Sequence, residues 1–180
     1  MSKSRTAWFL ALSLLAAANA VRAQDAAPAA APSIDRPLRI GVGLGLGIGA
    51  AGGAQLVITE EVDYRFLPSE IGNFFIGVAL GEGIGSTFLF QGGVRAGYDF
   101  RIFHENGIEI LVAPEIVLGA AFADVQGVAG WFDLQIGAEG RVVLLDGLLG
   151  FWLRPLAFDI FIGERTFARY DLLAGASVQL

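Results

Sequence analysis

The chain has 180 residues, of which 54% are hydrophobic and only 17% are charged, and its formal net charge is −6. It holds no cysteine and one histidine, which excludes a disulfide framework, thiol catalysis and a cysteine- or histidine-cluster metal site. Nucleic-acid binding needs a basic patch, so the acidic balance predicts no nucleic-acid partner.

The amino-terminal segment has the three regions of a secretory signal peptide. Two basic residues precede an apolar, uncharged stretch over residues 8–18, and small residues follow. We expect cleavage after Ala23, with Ala20 as the alternative position. An uncleaved anchor helix is a further interpretation, but the apolar stretch is short for one. Residues 1–23 are therefore predicted to be a signal peptide that directs export through the inner membrane.

Residues 24–37 are rich in alanine and proline and low in complexity. This composition is typical of a flexible linker, and we predict a periplasmic lead-in. Residues 38–180 remain, which is enough for one domain.

From residue 38 onward, apolar residues alternate with polar or small ones, the period of a strand with two different faces. Each alternating segment meets the roughly 9–11 residues that a tilted transmembrane strand needs. The eight predicted strands are Leu38–Gly49, Gln55–Phe66, Asn73–Glu82, Thr87–Arg101, Ile108–Phe122, Trp131–Val143, Leu148–Ile162 and Ala168–Leu180.

One face of these strands is almost continuously apolar, whereas the other carries many charges. A soluble barrel would be apolar inside, so charges on one face and a near-continuous apolar set on the other indicate a polar lumen surrounded by lipid. Closure also removes the sheet edges that hydrocarbon does not tolerate. The predicted fold class is all-β, a closed antiparallel eight-stranded transmembrane β-barrel.

The first strand is unusual because every inward position from Gly41 to Gly49 is glycine. Glycines four apart also match the packed face of a transmembrane helix, which is the alternative for this segment. A single helix would leave the other strands without closure, so we favour the strand. Its bare wall would leave room for Phe75, Leu89 and Trp152.

The connections between strands alternate in character. Tight turn signals occur at residues 67–72, 103–107 and 146–147, and we predict that they face the periplasm together with both ends of the barrel. The other four connections are short, which argues against an elaborate receptor surface.

Aromatic residues are predicted to collect at the two lipid boundaries. The predicted periplasmic-side set is Tyr64, Phe66, Phe74, Tyr98, Phe100 and Phe151, and the opposite set is Phe88, Phe90, Phe122, Trp131 and Phe132.

The turn positions predict which inward charges face each other on neighbouring strands. Interior charges that are merely solvated are the alternative, but an unpaired buried charge is costly and guanidinium binds carboxylate in a bidentate manner. We therefore expect a lumen plugged by arginine–carboxylate pairs. The predicted opposed residues are Arg95 with Glu115, Arg101 with Glu109, Glu139 with Arg154, and Arg141 with Trp152.

The sequence offers no convincing catalytic constellation. The acidic dipeptide 60–61, or Glu109 with Glu115, could form an acid/base pair, but carboxylates opposite arginines are more often structural. The single histidine, His104, lies in a predicted turn, and Ser177 has no histidine on the adjacent strands. We predict no catalytic residue, no cofactor and no metal.

The last eleven residues, Tyr170–Leu180, alternate almost strictly and end on a large apolar residue. With this ending, residues 38–180 resemble the small outer-membrane β-barrels of Gram-negative bacteria, the OmpA transmembrane domain and OmpX class. Leu180 stands where that class usually has an aromatic residue. The resemblance implies contact with outer-membrane lipids and lipopolysaccharide, and recognition of the last strand by the barrel-assembly machinery.

The leading interpretation is a monomeric, non-enzymatic outer-membrane protein with a structural or interaction role. Some eight-stranded outer-membrane barrels are lipid A deacylases or palmitoyl transferases, so a lipid-modifying enzyme is one alternative. A narrow pore is the other.

Overall fold

The computed structural model describes residues 35–49, 53–124 and 128–180. The predicted signal peptide and the lead-in up to residue 34 lie outside these residues. The strands are β1 (Leu38–Gly49), β2 (Ala54–Ser69), β3 (Gly72–Ile84), β4 (Leu89–Glu105), β5 (Ile108–Asp124), β6 (Val128–Leu144), β7 (Leu149–Ile162) and β8 (Phe167–Gln179). No helix in the described ranges is long and apolar enough to span a membrane.

The eight strands form one closed antiparallel barrel, as the alternation predicts. Each strand pairs with its sequence neighbours, and β1 pairs with β8. At the junction, Leu38 and Leu180 exchange two backbone hydrogen bonds of 3.0 and 2.8 Å. The first segment is therefore a strand and not a packed helix.

The strands are tilted, as the register around the barrel shows. A path through successive paired residues returns to β1 ten residues (48 − 38) from its start, so the shear number is 10. The path runs through Leu38, Tyr64, Ile76, Ala96, Ile116, Ile136, Phe158, Tyr170 and Ile48.

The barrel has two different ends. The turn end holds Leu38, Leu180 and the β2–β3, β4–β5 and β6–β7 turns, and the opposite end, the loop end, holds the β3–β4 and β7–β8 connections. The β4–β5 turn is tight, with positive φ at Asn106 (52°) and Gly107 (74°), the backbone that a two-residue hairpin turn requires.

The wall is apolar on the outside and charged on the inside. Ile40, Val42, Leu44, Leu46 and Ile48 of β1 are each about half exposed, between 46% and 55%. Among the described residues, six arginines and eight acidic residues are buried inside. This arrangement is the reverse of a soluble barrel and is that of a barrel in lipid.

The outer wall carries aromatic residues at both ends. At the turn end, Phe66, Phe74, Tyr98 and Phe100 form a continuous series, with successive ring centroids 6.2, 4.7 and 4.6 Å apart. At the loop end, Phe88, Phe90, Phe122 and Phe132 are exposed.

Trp131 differs from its prediction, because it does not face outward. It packs inside the loop end against Phe167, with ring centroids 5.3 Å apart, and its indole N–H donates to the Arg165 carbonyl at 3.2 Å. Its position follows the alternation, since Trp131 shares the inward phase of Asp133. The prediction placing it at the lipid boundary is wrong.

The glycine wall of β1 accommodates Trp152, one of the three bulky residues expected there. A Cβ at Gly43 would overlap the Trp152 ring and lie 2.8 Å from Thr59 Oγ1. Phe75 instead lies against Gly97, and Leu89 packs at the loop end with Ala121. The close approach of β1 to one indole ring is thus the specific reason for glycine at position 43.

We expect Gly43→Ala to destabilise the barrel by about 1–3 kcal/mol, because the new methyl group overpacks the lumen. Gly140→Ala is the matched control, since a Cβ there meets only one atom within 4 Å, at 3.9 Å. Urea unfolding in lipid vesicles measures both. The loss of stability caused by Gly43→Ala should be smaller in a Trp152→Phe background. Equal destabilisation by Gly43→Ala and Gly140→Ala would contradict the explanation that position 43 is glycine because of the Trp152 ring.

Candidate functional site

The lumen holds two separate groups of charged residues. The first, the central plug, consists of Arg39, Arg65, Arg95, Arg141 and Arg154 with Glu61, Asp63, Asp99, Glu115 and Glu139. The second, the loop-end cluster, consists of Arg169 with Asp133, Asp159, Asp171, Gln55, Gln91 and Gln135. All are buried because inward positions of a narrow barrel face one another across the lumen.

Arg95 on β4 is the centre of the plug. Its Nη1 donates to Glu61 and to Asp63, both at 2.7 Å, and its Nη2 donates to Glu139 at 3.3 Å. Its Nε donates to Glu115 at 3.1 Å, and its Nη2 also contacts that carboxylate. One guanidinium therefore joins carboxylates from β2, β5 and β6.

Two further arginines share the same carboxylates from other sides. Arg39 donates to Asp63 at 2.8 Å and to Glu139 at 3.0 Å, and it also pairs with Glu61. Arg154 lies 2.5 Å from Glu61, 2.6 Å from Glu115 and 2.7 Å from Glu139. The plug is thus a network in which most carboxylates are shared, rather than a set of isolated pairs.

Arg65 and Arg141 extend the plug toward the turn end. Arg141 Nη1 lies 2.6 Å from Asp99, and Arg65 Nε lies 3.2 Å from the same carboxylate. The guanidinium carbons of Arg95 and Arg141 lie 5.0 and 5.1 Å from the centre of the Phe75 ring, within cation–π range.

The central plug is formally neutral, with five arginines and five carboxylates. Burying a charge is costly unless it is paired and hydrogen-bonded. Equal numbers of both signs, with each member in contact with at least one opposite charge, reduce that penalty.

The structure brings the predicted pairs together, although not always in direct opposition. Arg95 contacts Glu115, Arg154 contacts Glu139, and Arg101 Nε lies 2.6 Å from Glu109. The last pair lies at the turn end outside the plug, with side chains 30% and 18% exposed.

The predicted register of β4 and β5 is wrong by two residues. Arg95 lies opposite Val117 and Arg101 opposite Leu111. The turn lies at 106–107, and a register shift follows between Arg101 and Phe103. A displacement of two keeps every side chain on its face, so Arg95 and Arg101 reach their carboxylates diagonally.

Between β6 and β7, Arg141 lies opposite Trp152, which confirms that part of the register. Glu139 lies at a register shift between Ala138 and Gly140, and from there it reaches four arginines.

Sequence reasoning did not identify Arg39 as a member of the plug. Its inward phase, one residue before Ile40, is the signal that would have found it.

The loop-end cluster is arranged around Arg169. Its Nη2 donates to Gln91 at 2.7 Å and to Asp159 and Asp171 at 2.8 Å. Asp133 lies in this cluster, and its Oδ1 is buried without a hydrogen-bond partner in the described part of the chain.

An apolar lid covers the loop-end cluster. It consists of Leu89, Ala121, Ala123 and Phe161, with Trp131 and Phe167 packed against them. The Arg169 guanidinium carbon lies 5.4 Å from the centre of the Phe161 ring, so the lid contacts the charges directly.

Little space remains inside the barrel. A cavity of about 20 Å³ between the plug and the loop-end cluster is lined by Thr59, Glu61, Gln91, Asp133 and Arg154 among others, which is room for about one water. A recess of about 140 Å³ opens at the turn end beside Arg36, Arg65, His104 and Gln179. Across the described ranges, no cluster of three histidine, cysteine or acidic side chains could hold a metal ion.

No protein-family profile and no curated protein matches the sequence. Among solved structures, the barrel is similar to the crystal structure of neisserial surface protein A, with a TM-score of 0.60 and 11% identity over 79% of this chain and 96% of that one. The outer-membrane enzyme PagL matches with a TM-score of 0.49 and 12% identity, over 79% and 99% of the two chains. The first similarity shows a shared fold.

We expect Arg95→Ala to destabilise the barrel by about 3–5 kcal/mol, because it leaves buried carboxylates without their shared partner. Glu115→Ala should be similarly harmful, and the double variant should lose less than the sum of the two. The matched control is Arg101→Ala with Glu109→Ala, whose partly exposed pair should couple by less than about 1 kcal/mol. Urea unfolding of all six variants tests this, and strictly additive effects at 95 and 115 would show that the two residues do not interact.

Proposed function

We propose that this chain is a non-enzymatic integral outer-membrane β-barrel protein with a structural or interaction role in the cell envelope. The observation that carries the proposal is the reversed polarity of the barrel, with a neutral charged plug inside and an apolar wall outside. Such a wall is stable only in contact with lipid.

Several features support the outer membrane as the location. A closed barrel of strands with aromatic residues at both ends of its wall is the architecture of outer-membrane proteins. The signal-peptide pattern of residues 1–23 supports export. Contact with outer-membrane lipids and lipopolysaccharide, and assembly through β8 as a monomer, form part of the proposal.

A structural or interaction role is favoured over an enzyme by the chemistry of the outer wall. Hydrolysis or transfer of a lipid acyl chain at this wall would need a nucleophile beside a base. His104 is at the turn end, beside the recess, and Ser177 is buried against the lumen. The two are not adjacent, since Ser177 pairs with Gly41 and Gly150.

Incubation of the refolded barrel with lipid A tests the enzymatic alternative. Mass spectrometry should show neither loss nor gain of an acyl chain, because His104 and Ser177 are not adjacent and no nucleophile beside a base faces the lipid in the part of the chain that the structure describes. A known outer-membrane deacylase in the same vesicles serves as the positive control. A change of mass that depends on folded protein would replace the proposal with a lipid-modifying enzyme.

We expect the wild-type barrel to give no steady conductance in planar bilayers, since the plug and the apolar lid close the lumen at two levels. Arg95→Ala with Glu115→Ala weakens only the plug and should remain closed. Adding Phe161→Ala and Trp131→Ala removes the lid, and this quadruple variant should conduct. Steady conductance of the wild type would favour the pore instead.

A further inference from the structure

Two carboxylates lie on the outside of the barrel wall, away from the lumen. Glu60 of β2 and Glu82 of β3 both occupy outward positions and are exposed. Among the described residues, Glu60 is the only acidic or basic side chain on the outer wall between the two aromatic boundaries, and Glu82 lies opposite Phe90 at the loop-end boundary. The central plug and the loop-end cluster include neither of them.

Glu60 is surrounded by apolar side chains deep in the wall. It lies opposite Val42 on one side and Leu80 on the other, and Ile58 and Val62 are its outward neighbours along β2. Tyr64, at the turn-end boundary, is four residues away, which on a tilted strand places Glu60 roughly 10 Å deeper. This position is well inside an apolar band roughly 25 Å tall.

Neither carboxylate has a hydrogen bond or an ion pair within the described ranges. All six buried arginines face the lumen, and Arg36, Arg101 and Arg165 lie at the ends of the barrel. An ionisable side chain facing hydrocarbon is unfavourable and is rare unless it has a partner. The barrel itself supplies no such partner for Glu60 or Glu82.

The two carboxylates share one shallow pocket. It has a volume of about 50 Å³ and is lined by Ile58, Glu60, Leu80, Gly81, Glu82 and Phe90. Glu82 lies opposite both Ile58 and Phe90, and Phe90 is 37% exposed. Two carboxylates beside an aromatic ring form a site that suits a cation.

We propose that this face of β2–β4 docks a transmembrane segment of a partner protein that carries a lysine or arginine within the bilayer. A second copy of this chain does not fit, because its described outer wall offers carboxylates and no basic group. Lipid headgroup amines do not fit either, because they lie outside the hydrocarbon core that surrounds Glu60. A basic side chain on a transmembrane segment reaches this depth and gains a partner there.

The inference rests on the proposed membrane location, and binding of a synthetic peptide tests it. The probe is a leucine–alanine peptide of roughly 20 residues with one central lysine and a dansyl label, and its control has methionine in place of lysine. Energy transfer from Trp131 and Trp152 to dansyl in phosphatidylcholine vesicles measures binding. The wild-type barrel should bind the lysine peptide about tenfold or more tightly than the control peptide.

Glu60→Gln and Glu82→Gln should each reduce this preference, and the double variant should abolish it. Glu70→Gln, in the β2–β3 turn, is the matched control and should change nothing. Glu60→Gln should also raise the urea midpoint of the barrel in vesicles without peptide, because it removes an unpaired carboxylate. Equal binding of the two peptides, or a preference unchanged in the double variant, would overturn the docking site.

The remaining occupants are outcomes of the same experiment. Displacement of the peptide by octadecylamine at equal mole fraction would assign the pocket to a lipid amine. Glu60-dependent cross-linking of the barrel to itself would assign the pocket to a second copy of this chain. Either result overturns the proposal. Flotation and heat-modifiability establish that each variant is inserted and folded. A barrel that fails to insert contradicts the membrane location. An inserted barrel that binds the lysine peptide and the methionine peptide equally contradicts only the docking site.

Discussion

A backbone that crosses hydrocarbon has no water to bond, so every peptide N–H and C=O must find a partner within the protein. In this barrel the requirement is completed where β1 meets β8, and Leu38 and Leu180 supply the last exchanged bonds. Closing eight strands leaves a lumen that side chains can fill. Each inward position must then be very small or tightly packed, or carry a charge that is matched by its neighbours.

Arginine suits the narrow lumen, where all six buried basic residues are arginine. One guanidinium presents five donors in a fixed plane, so Arg95 can satisfy four carboxylates at once, whereas an ammonium is a more compact point charge. Sharing also lets Glu139 reach four arginines although it occupies a single position. The same crowding requires glycine at position 43, where the strand passes directly over Trp152.

Alternation predicts the closed barrel and the inward face of charges such as Arg95, Glu115 and Arg141, because a strand has a period of two whatever its register. Register itself depends on turn geometry and bulges, which is why Arg95 was predicted opposite Glu115 and instead lies opposite Val117. Trp131 was assigned by its chemistry, as a boundary aromatic, although its phase places it inside. The outward carboxylate could have been found, since adjacent residues 60 and 61 cannot both face the lumen.

The distribution of the plug over many strands also affects the order of assembly. Arg39 on β1 finds its partners on β2 and on β6, so a sheet of the first few strands leaves part of its donor set unused. Arg154 on β7 likewise draws on β2, β5 and β6. A sheet in which only some of the strands have paired therefore holds charges without a partner, and unpaired charges disfavour its entry into lipid. Only the closed barrel brings all of these charges to their partners.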